Sequence, residues 1–173
     1  MAVENTDIQE KLLATFNSDV FNFQQERDIF SLEINPAVNT AVILFLKNDP
    51  SLRFHFLTDL CAVHYPQNEI HRQFAIVYHL HNWYDNKRIK IKTFIHGQTP
   101  EIKTVSNIFL SSNWMERETY DFYGVNFIGH PQLKRILNMD EMISFPMRKE
   151  FPLEDGGRTD KDDRFFGRTI DNC

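Results

Sequence analysis

Acidic side chains and a histidine crowd into one short stretch of this chain, NWMERETYDFYGVNFIGHP at residues 113–131. Glu116, Glu118, Asp121 and His130 are residue types that serve as general acids and bases. The stretch contains no serine or cysteine nucleophile, and no glycine-rich phosphate loop precedes it. Helix caps and salt bridges use the same residue types. The sequence therefore favours a structural network here and leaves an acid–base site open.

A helix is predicted to carry these groups. Asn113 is placed to cap its start, and Glu116 completes a capping-box pattern. Gly124 suits the left-handed residue that ends a helix. Arg117 and Asp121 are four residues apart and are predicted to pair on the helix flank.

One carboxylate falls on the apolar side of this predicted helix. Glu118 lies between Trp114 and Phe122 when the residues are placed at helical spacing. Burying an unpaired carboxylate is costly. We therefore expect Glu118 to meet a cation from another part of the chain, with Arg135 or Arg148 as the candidate.

Metal ligands are sparse in the sequence. His79 and His81 share one face of a predicted strand, but no third ligand stands beside them, so they are interpreted as cross-strand neighbours. Cys61 and Cys173 are far apart and suggest neither a disulfide framework nor a cysteine metal site. This cysteine usage indicates a reducing compartment.

Composition limits the classes of function. The chain has 173 residues, a formal net charge of −5 and 42% hydrophobic residues, which predicts one domain, or one domain with an appendage. The acidic balance argues against nucleic acid as a partner. The polar N-terminus does not resemble a signal peptide. The apolar run at residues 41–46 is too short to span a membrane, so we expect an intracellular protein that can dock on a membrane complex.

Hydrophobic patterning predicts an α+β fold, a mixed β-sheet of four to five strands packed with helices, followed by an irregular C-terminal extension. Asn35 and Pro36 suit the start of one of the helices, which ends before Asp49 and Pro50. Helices are predicted at residues 6–16, 36–48 and 99–109 and in the opening stretch. Strands are predicted at 20–23 and 29–34, as a hairpin-like pair, and at 74–83 and 89–95, as a β-hairpin. A helical turn followed by a strand is predicted within 52–65.

The composition changes near residue 146. Residues 1–145 are predicted to form the globular domain, and residues 146–173 an extended tail too charged to fold alone. Phe165 and Phe166 are isolated apolar anchors in this tail. Together with Arg148 and Lys149, they indicate a segment that docks on another protein of a complex.

Two motifs resemble a known family. The pattern W-x-E-R-E-x-x-D-x-x-G-V-x-F-x-G-H-P-x-L-x-R-I-L at residues 114–137 resembles the signature of the C subunit of NADH–quinone oxidoreductase, the thirty-kilodalton subunit of respiratory complex I. The run PMRKEFPL at residues 146–153 resembles a second motif of that family. Between the two motifs, the DEMISF run at residues 140–145 lacks the tryptophan and glycine that are usual there.

The resemblance implies a protein without a cofactor of its own, on the cytoplasmic side of the plasma membrane, in a complex that couples quinone reduction to proton translocation. It implies packing against the D subunit of that complex and neighbouring iron–sulfur subunits. Partner subunits would carry FMN and the iron–sulfur clusters and bind NADH and quinone. The implied structural and interface residues are Trp114, Glu116, Arg117, Glu118, Asp121, Gly124, His130, Pro131, Arg135, Arg148, Lys149, Phe165 and Phe166.

Two alternatives remain open from the sequence. One is the equivalent subunit of a membrane-bound hydrogenase or a ferredoxin-linked complex, because such relatives share the motif. The other is a stand-alone acid–base enzyme that uses Glu118 and His130.

Overall fold

The structure is a computed structural model that describes residues 4–151. It confirms the predicted α+β class, with three helices and a mixed five-stranded sheet in the described part. The helices are α1 (Asn5–Phe16), α2 (Asn39–Asn48) and α3 (Ser112–Tyr123); the strands are β1 (Val20–Glu26), β2 (Ile29–Ile34), β3 (Phe56–His64), β4 (Phe74–Asn82), β5 (Lys87–Ile95), β6 (Glu101–Lys103) and β7 (Asn126–Ile128).

The main sheet has the strand order β1-β2-β5-β4-β3. Both predicted hairpins form, β1 with β2 and β4 with β5, each as an antiparallel pair. β2 and β5 join the two hairpins in parallel, and β3 pairs antiparallel with β4 at the edge. The strands β6 and β7 form a separate parallel pair. The topology thus places the start of β3 beside the turn between β4 and β5.

Apolar and polar residues alternate along the strands, so one face of the sheet is buried. β5 shows it most clearly, since Ile89, Ile91 and Ile95 are buried while the intervening lysines are only partly covered. Apolar residues of α1 and α2, such as Leu12 and Leu46, belong to the same buried cluster. α3 packs against the edge strand β3. The position of α3 therefore decides how the side chains of the signature motif at residues 114–137 are arranged.

The prediction of a helix at residues 99–109 is wrong. Residues Glu101–Lys103 form β6, and the chain then turns, with the amide of Phe109 donating to the carbonyl of Val105 at 2.9 Å. Ile102 is directly paired with Phe127 of β7, and both are buried. Pairing with β7 satisfies the backbone that a helix would have satisfied locally.

Two other local predictions, at Asn35 and before β3, are confirmed. Asn35 accepts a hydrogen bond from the amide of Ala37 at the start of a short 3-10 turn that leads into α2. A helical turn does precede β3, because the amide of Arg53 donates to the carbonyl of Asp49 at 3.0 Å. Between residues 4 and 151, no helix combines the length and apolar character needed to cross a bilayer.

Candidate functional site

α3 turns its polar face inward, contrary to the predicted stripe. Ser112, Glu116 and Thr119 are buried at helical spacing. Trp114 is 63% exposed, and Glu118 is exposed as well. The predicted capping box is also wrong, because α3 begins at Ser112, its N-cap residue Ser111 makes no side-chain cap hydrogen bond, and Glu116 accepts from Thr104 and Val105 instead. Polar groups can be buried here because partners elsewhere in the chain satisfy them.

Glu116 is a buried carboxylate that no lysine or arginine within residues 4–151 pairs with. Its Oε1 accepts from the amide of Val105 at 2.7 Å, and its Oε2 accepts from the Thr104 hydroxyl at 2.5 Å. Burial raises the pKa of Glu116 to about 7, although hydrogen bonds from Thr104, Val105 and Ser112 oppose the rise. The carboxyl group therefore ties α3 to the segment that follows β6.

His130 lies beside Glu116, with 3.9 Å between its Nε2 and Glu116 Oε2. The amide of Gln132 donates to His130 Nδ1 at 3.1 Å, so the ring proton sits on Nε2, which faces the Asn113 carbonyl at 3.2 Å. Burial lowers the pKa of His130; the Asn113 carbonyl opposes this and Arg117 adds to it. The imidazole is neutral at neutral pH, and both ring nitrogens are engaged.

Asp121 is the second buried carboxylate, and it is densely bonded. Its Oδ2 accepts from three successive amides, those of Ile136, Leu137 and Asn138, at 2.8–3.0 Å. Its Oδ1 accepts from Arg135 Nη1 at 2.7 Å and from the Asn138 side chain at 3.0 Å. Burial alone would raise the pKa of Asp121, but these donors outweigh it and hold the pKa well below its ordinary value.

Arg135 connects α3 to the chain that follows the signature. Its Nη1 also donates to the carbonyl of Asp121 at 2.9 Å, and its Nη2 donates to the carbonyls of Met142 and Ser144 at 2.6 and 3.0 Å. The guanidinium lies 5.0 Å from the ring centre of Phe145. One arginine thereby binds three backbone carbonyls and joins the end of α3 to residues 142–144.

Gly124 ends α3 in the left-handed conformation that the sequence predicts, with φ of 72°. A Cβ at this position would lie 2.5 Å from the Phe145 ring and 2.7 Å from Arg148 Nη2. The Nε of Arg148 donates to the carbonyl of Tyr123 at 2.7 Å. Gly124 is thus needed for its backbone angle and for the close approach of the chain that crosses it.

The segment after Phe145 is hydrogen-bonded to the end of α3 and to the end of β3. The amide of Met147 donates to the carbonyl of Phe122 at 3.2 Å, and the amide of Lys149 donates to His64 Nδ1 at 3.0 Å. The His64 ring stacks on Phe74, with 4.4 Å between ring centres. Residues 145–149 are therefore fixed to the domain by side-chain and backbone hydrogen bonds.

Two predicted pairings are wrong. Arg117 does not pair with Asp121; it donates to the carbonyls of Lys134 and Arg135 at 3.1 and 3.3 Å. Glu118 is exposed, and within residues 4–151 it forms no salt bridge. Of the two expected partners, Arg135 pairs with Asp121 and Arg148 with Glu150.

Five large apolar side chains on α3 and on the segments before and after it are exposed. We call them the signature surface: Leu110, Trp114, Leu137, Met139 and Ile143. Their exposed fractions run from 63% to 95%. Arg117 lies over the Trp114 ring at 4.9 Å. Isolated exposed apolar residues are ordinary, but a set of large ones on a rigid framework is typical of a protein interface.

The arrangement does not suit acid–base catalysis. Glu116 and His130 have fully buried side chains, and no histidine pairs with the exposed Glu118 in the part of the chain that the structure describes. An open groove of about 590 Å³ touches Thr104 and Gly129, but neither Glu116 nor His130 lines it. His79 and His81 lie on β4, and no cluster of three potential metal ligands occurs within residues 4–151.

Sequence reasoning missed the residues that complete the framework. Thr104, Asn138 and Phe145 contact Glu116, Asp121 and Gly124 respectively. No local signal marks them, because each lies 12 or more residues from its partner. Pro131 is exposed. Phe165 and Phe166 lie outside the described residues.

Known proteins are similar in sequence to this chain. The profile of the family described as "Respiratory-chain NADH dehydrogenase, 30 Kd subunit" matches residues 32–156. The chain is 34% identical over 168 residues to the NADH-quinone oxidoreductase C subunit of Roseiflexus sp. (strain RS-1), covering 96% of this chain and 95% of that protein. It is 37% identical over 143 residues to the NADH-quinone oxidoreductase C 2 subunit of Rhizobium meliloti (strain 1021), covering 82% and 76%.

Solved structures share the fold. A trypsin-resistant fragment of Nqo5 matches with a TM-score of 0.62 and 24% identity, covering 74% of this chain and 98% of the fragment. A chain of an archaeal membrane-bound sulfane sulfur reductase, described as a respiratory membrane complex, matches with a TM-score of 0.71 and 20% identity over 86% of this chain and 85% of that one. At these identities the two likenesses show the fold alone.

Proposed function

The chain belongs to the family of the 30-kDa subunit of respiratory-chain NADH dehydrogenase, and from this membership we propose that it is a peripheral-arm subunit of an NADH–quinone oxidoreductase. In this role it binds no cofactor. It packs against the D subunit beside the iron–sulfur subunits, on the cytoplasmic side of the membrane, and supports electron transfer to quinone coupled to proton translocation. FMN, iron–sulfur clusters, NADH and quinone belong to the partner subunits.

The inverted orientation of α3 is the observation that supports this role. The helix buries Glu116 and Asp121 and leaves Trp114 exposed. A helix in an isolated soluble domain normally does the reverse. The buried carboxylates fix residues 104–105 and 135–138 against α3, and the exposed Trp114 then belongs to a preorganised surface for another protein of the complex.

The framework residues have indirect roles in this proposal. Glu116, Asp121, Gly124, His130, Arg135 and Arg148 hold the segment after α3 in place, as their hydrogen bonds indicate. Arg117 and Trp114 form the side of α3 that faces the partner. Glu118, Pro131 and Lys149 are exposed and are assigned to the same interface.

Charge insertion at the signature surface tests the proposal. Trp114→Glu, introduced into the assembled complex, is expected to lower NADH–quinone reductase activity and the recovery of the D subunit by roughly tenfold or more, because a central aromatic anchor is lost. Leu13→Glu is the matched control, since Leu13 is also a partly exposed apolar residue on a helix. Full activity of the Trp114→Glu complex, with the D subunit recovered in normal amount, would contradict the proposal.

The electron donor is tested separately. The complex that contains this chain is expected to oxidise NADH, as the names of its relatives suggest. Oxidation of reduced ferredoxin without NADH oxidation would instead favour the ferredoxin-linked alternative. Turnover of a small substrate by the purified chain alone would favour the stand-alone enzyme.

A further inference from the structure

One buried histidine holds a part of the chain that lies 85 residues away in sequence. His64 is the last residue of β3 and is 8% exposed. Its Nδ1 accepts from the amide of Lys149 at 3.0 Å, and its ring stacks on Phe74 with 4.4 Å between ring centres and 8° between planes. His96 and His130 also accept from backbone amides, but only from the amide two residues ahead. Within residues 4–151, His64 is therefore the one histidine that joins two distant segments through an amide.

The hydrogen bond from Lys149 requires a neutral His64 ring. Because the Lys149 amide donates to Nδ1, the ring proton is on Nε2. A second proton, on Nδ1, would face the amide hydrogen of Lys149, and the bond would be lost. Burial lowers the pKa of His64; Glu150 opposes this, whereas Arg148 and Lys149 add to it. The ring is therefore neutral at neutral pH, and the bond is present there.

A carboxylate lies within reach of the protonated ring. Glu150 Oε2 is 3.7 Å from His64 Nδ1, and Glu150 Oε1 is 3.9 Å from Arg148 Nη1. The Glu150 side chain is 51% exposed, so it can move towards the ring without disturbing the core. The rings packed on this side of the core, Phe74 of β4 and Tyr123 of α3, carry no charge at neutral pH, since burial raises the pKa of the Tyr123 hydroxyl. His64 Nδ1 thus has two alternative partners, an amide for the neutral ring and a carboxylate for the charged ring.

We propose that His64 is a pH-sensitive latch on residues 149–150. The neutral ring accepts from the Lys149 amide and holds this segment against the end of β3, whereas the protonated ring releases the amide and donates to Glu150 instead. The folded ring is harder to protonate than the unfolded one, so the stability that the latch contributes is complete above pH 6.5 and is lost as the pH falls through the lower pKa of the folded state. The latch belongs to this chain alone and does not depend on the proposed function.

An NMR titration of the isotope-labelled full chain between about pH 5 and pH 8 tests the latch. The Lys149 amide resonance and the His64 ring resonances are expected to shift with one midpoint, below pH 6.5, and Nε2 is expected to carry the ring proton at neutral pH. Protection of the Lys149 amide, corrected for its intrinsic exchange rate, is expected to fall about fivefold to tenfold across that midpoint, as for one lost hydrogen bond. A Lys149 amide that does not follow the ring, or a ring protonated on Nδ1 at neutral pH, would overturn the inference.

Substitutions at His64 distinguish a latch from a merely structural contact. His64→Asn places an amide oxygen where Nδ1 lies, so the Lys149 amide is expected to stay bonded at every pH and to lose its pH dependence. His64→Phe keeps a ring beside Phe74 without an acceptor, so the Lys149 amide is expected to exchange rapidly throughout. His71→Gln is the matched control, since His71 is an exposed histidine that faces Glu69, and it should leave the titration unchanged. Wild-type pH dependence of the Lys149 amide in His64→Asn would remove His64 as its cause and refute the latch.

Glu150→Gln tests the second position of the latch. Loss of the carboxylate removes the partner of the protonated ring, so the midpoint of the His64 titration is expected to fall by roughly 0.2–0.7 on the pH scale, as for a partly exposed ion pair. Glu69→Gln is the control, because Glu69 faces His71 at the surface and should leave the His64 midpoint in place. An equal midpoint in wild type and Glu150→Gln would show that the protonated ring does not bind Glu150, and the two-position latch would be wrong.

Discussion

Asp121 keeps its charge inside the protein because backbone amides, Asn138 and Arg135 all donate to its two oxygens. Glu116, five residues earlier on the same helix, accepts from one amide and from hydroxyl groups, and no cation within residues 4–151 pairs with it. The two carboxylates therefore have opposite pKa shifts although both are buried. The number and charge of the donors decide the ionisation state, and burial alone does not.

Asp121→Asn is expected to destabilise the chain by about 3–5 kcal/mol, because Arg135 would remain buried without its partner. Urea denaturation of the purified protein measures this loss. Glu118→Gln is the control on the same helix; Glu118 is exposed, so its change should stay within about 0.5 kcal/mol. Equal effects of the two substitutions would show that the Asp121 framework does not hold the fold.

Glu116→Gln is expected to remove the part of the pH dependence of the unfolding free energy that comes from the Glu116 carboxyl. The pKa of this carboxyl rises from its ordinary value of 4.5 to about 7 on folding, so the folded state binds the proton more tightly. Stability that depends on Glu116 is complete below pH 4.5, falls as the pH rises, and is lost above about pH 7.

Thermal or urea unfolding of wild type and Glu116→Gln across this pH range measures the effect. Wild type is expected to lose about 3 kcal/mol relative to the variant between the two pKa values. Parallel curves would mean that Glu116 stays ionised in the folded protein.

At the scale of the element, the end of α3 and the segment after it form one unit. Gly124→Ala would strain a left-handed residue and push a methyl group into Phe145. Gly129→Ala is the matched control, because Gly129 also has a positive φ, of 85°, but its Cβ would meet only Thr104 at an ordinary 3.5 Å.

The two glycine variants should share a backbone cost of roughly 1–2 kcal/mol. Gly124→Ala should add about 1–3 kcal/mol for the clash and should speed amide exchange at Met147, whose amide bonds to Phe122. Denaturation and hydrogen exchange measure these effects. Equal stability and equal exchange in the two variants would show that Phe145 moves aside at no cost.

At the scale of the whole molecule, the boundary between domain and tail is open to a direct test. Truncation after Leu153 is expected to leave the unfolding midpoint of the free chain unchanged and to weaken assembly, since it removes Phe165 and Phe166, proposed as anchors from the sequence. Truncation after Phe145 is expected to cost about 2–4 kcal/mol, because the bonds from Met147, Arg148 and Lys149 are lost.

Unfolding curves and copurification of partner subunits check both truncations. A chain that ends at Phe145 and unfolds like the full chain would place the boundary there, as the composition predicts. Normal assembly of the chain that ends at Leu153 would remove the tail from the interface.

The sequence by itself determined the local elements and the family. Alternation predicted the hairpin of β4 and β5, Asn35 and Pro36 predicted the start of the helical segment that leads into α2, and Gly124 predicted the end of α3. These features depend on residues that are close in sequence, where side-chain period, proline and glycine act directly on the backbone. The signature motif at residues 114–137 led to the family that the comparisons then showed.

Only the tertiary structure decided which face of α3 is buried. Hydrophobic periodicity predicted that Trp114 is buried and that Glu116 caps the helix, because it assigns the apolar side chains to the buried face. Burial of Glu116 depends on Thr104 and Val105, and burial of Asp121 depends on residues 135–138. Each of these donors is at least 11 residues from its acceptor, so they meet only after the chain has folded, and a buried carboxylate is tolerated only where such donors meet it.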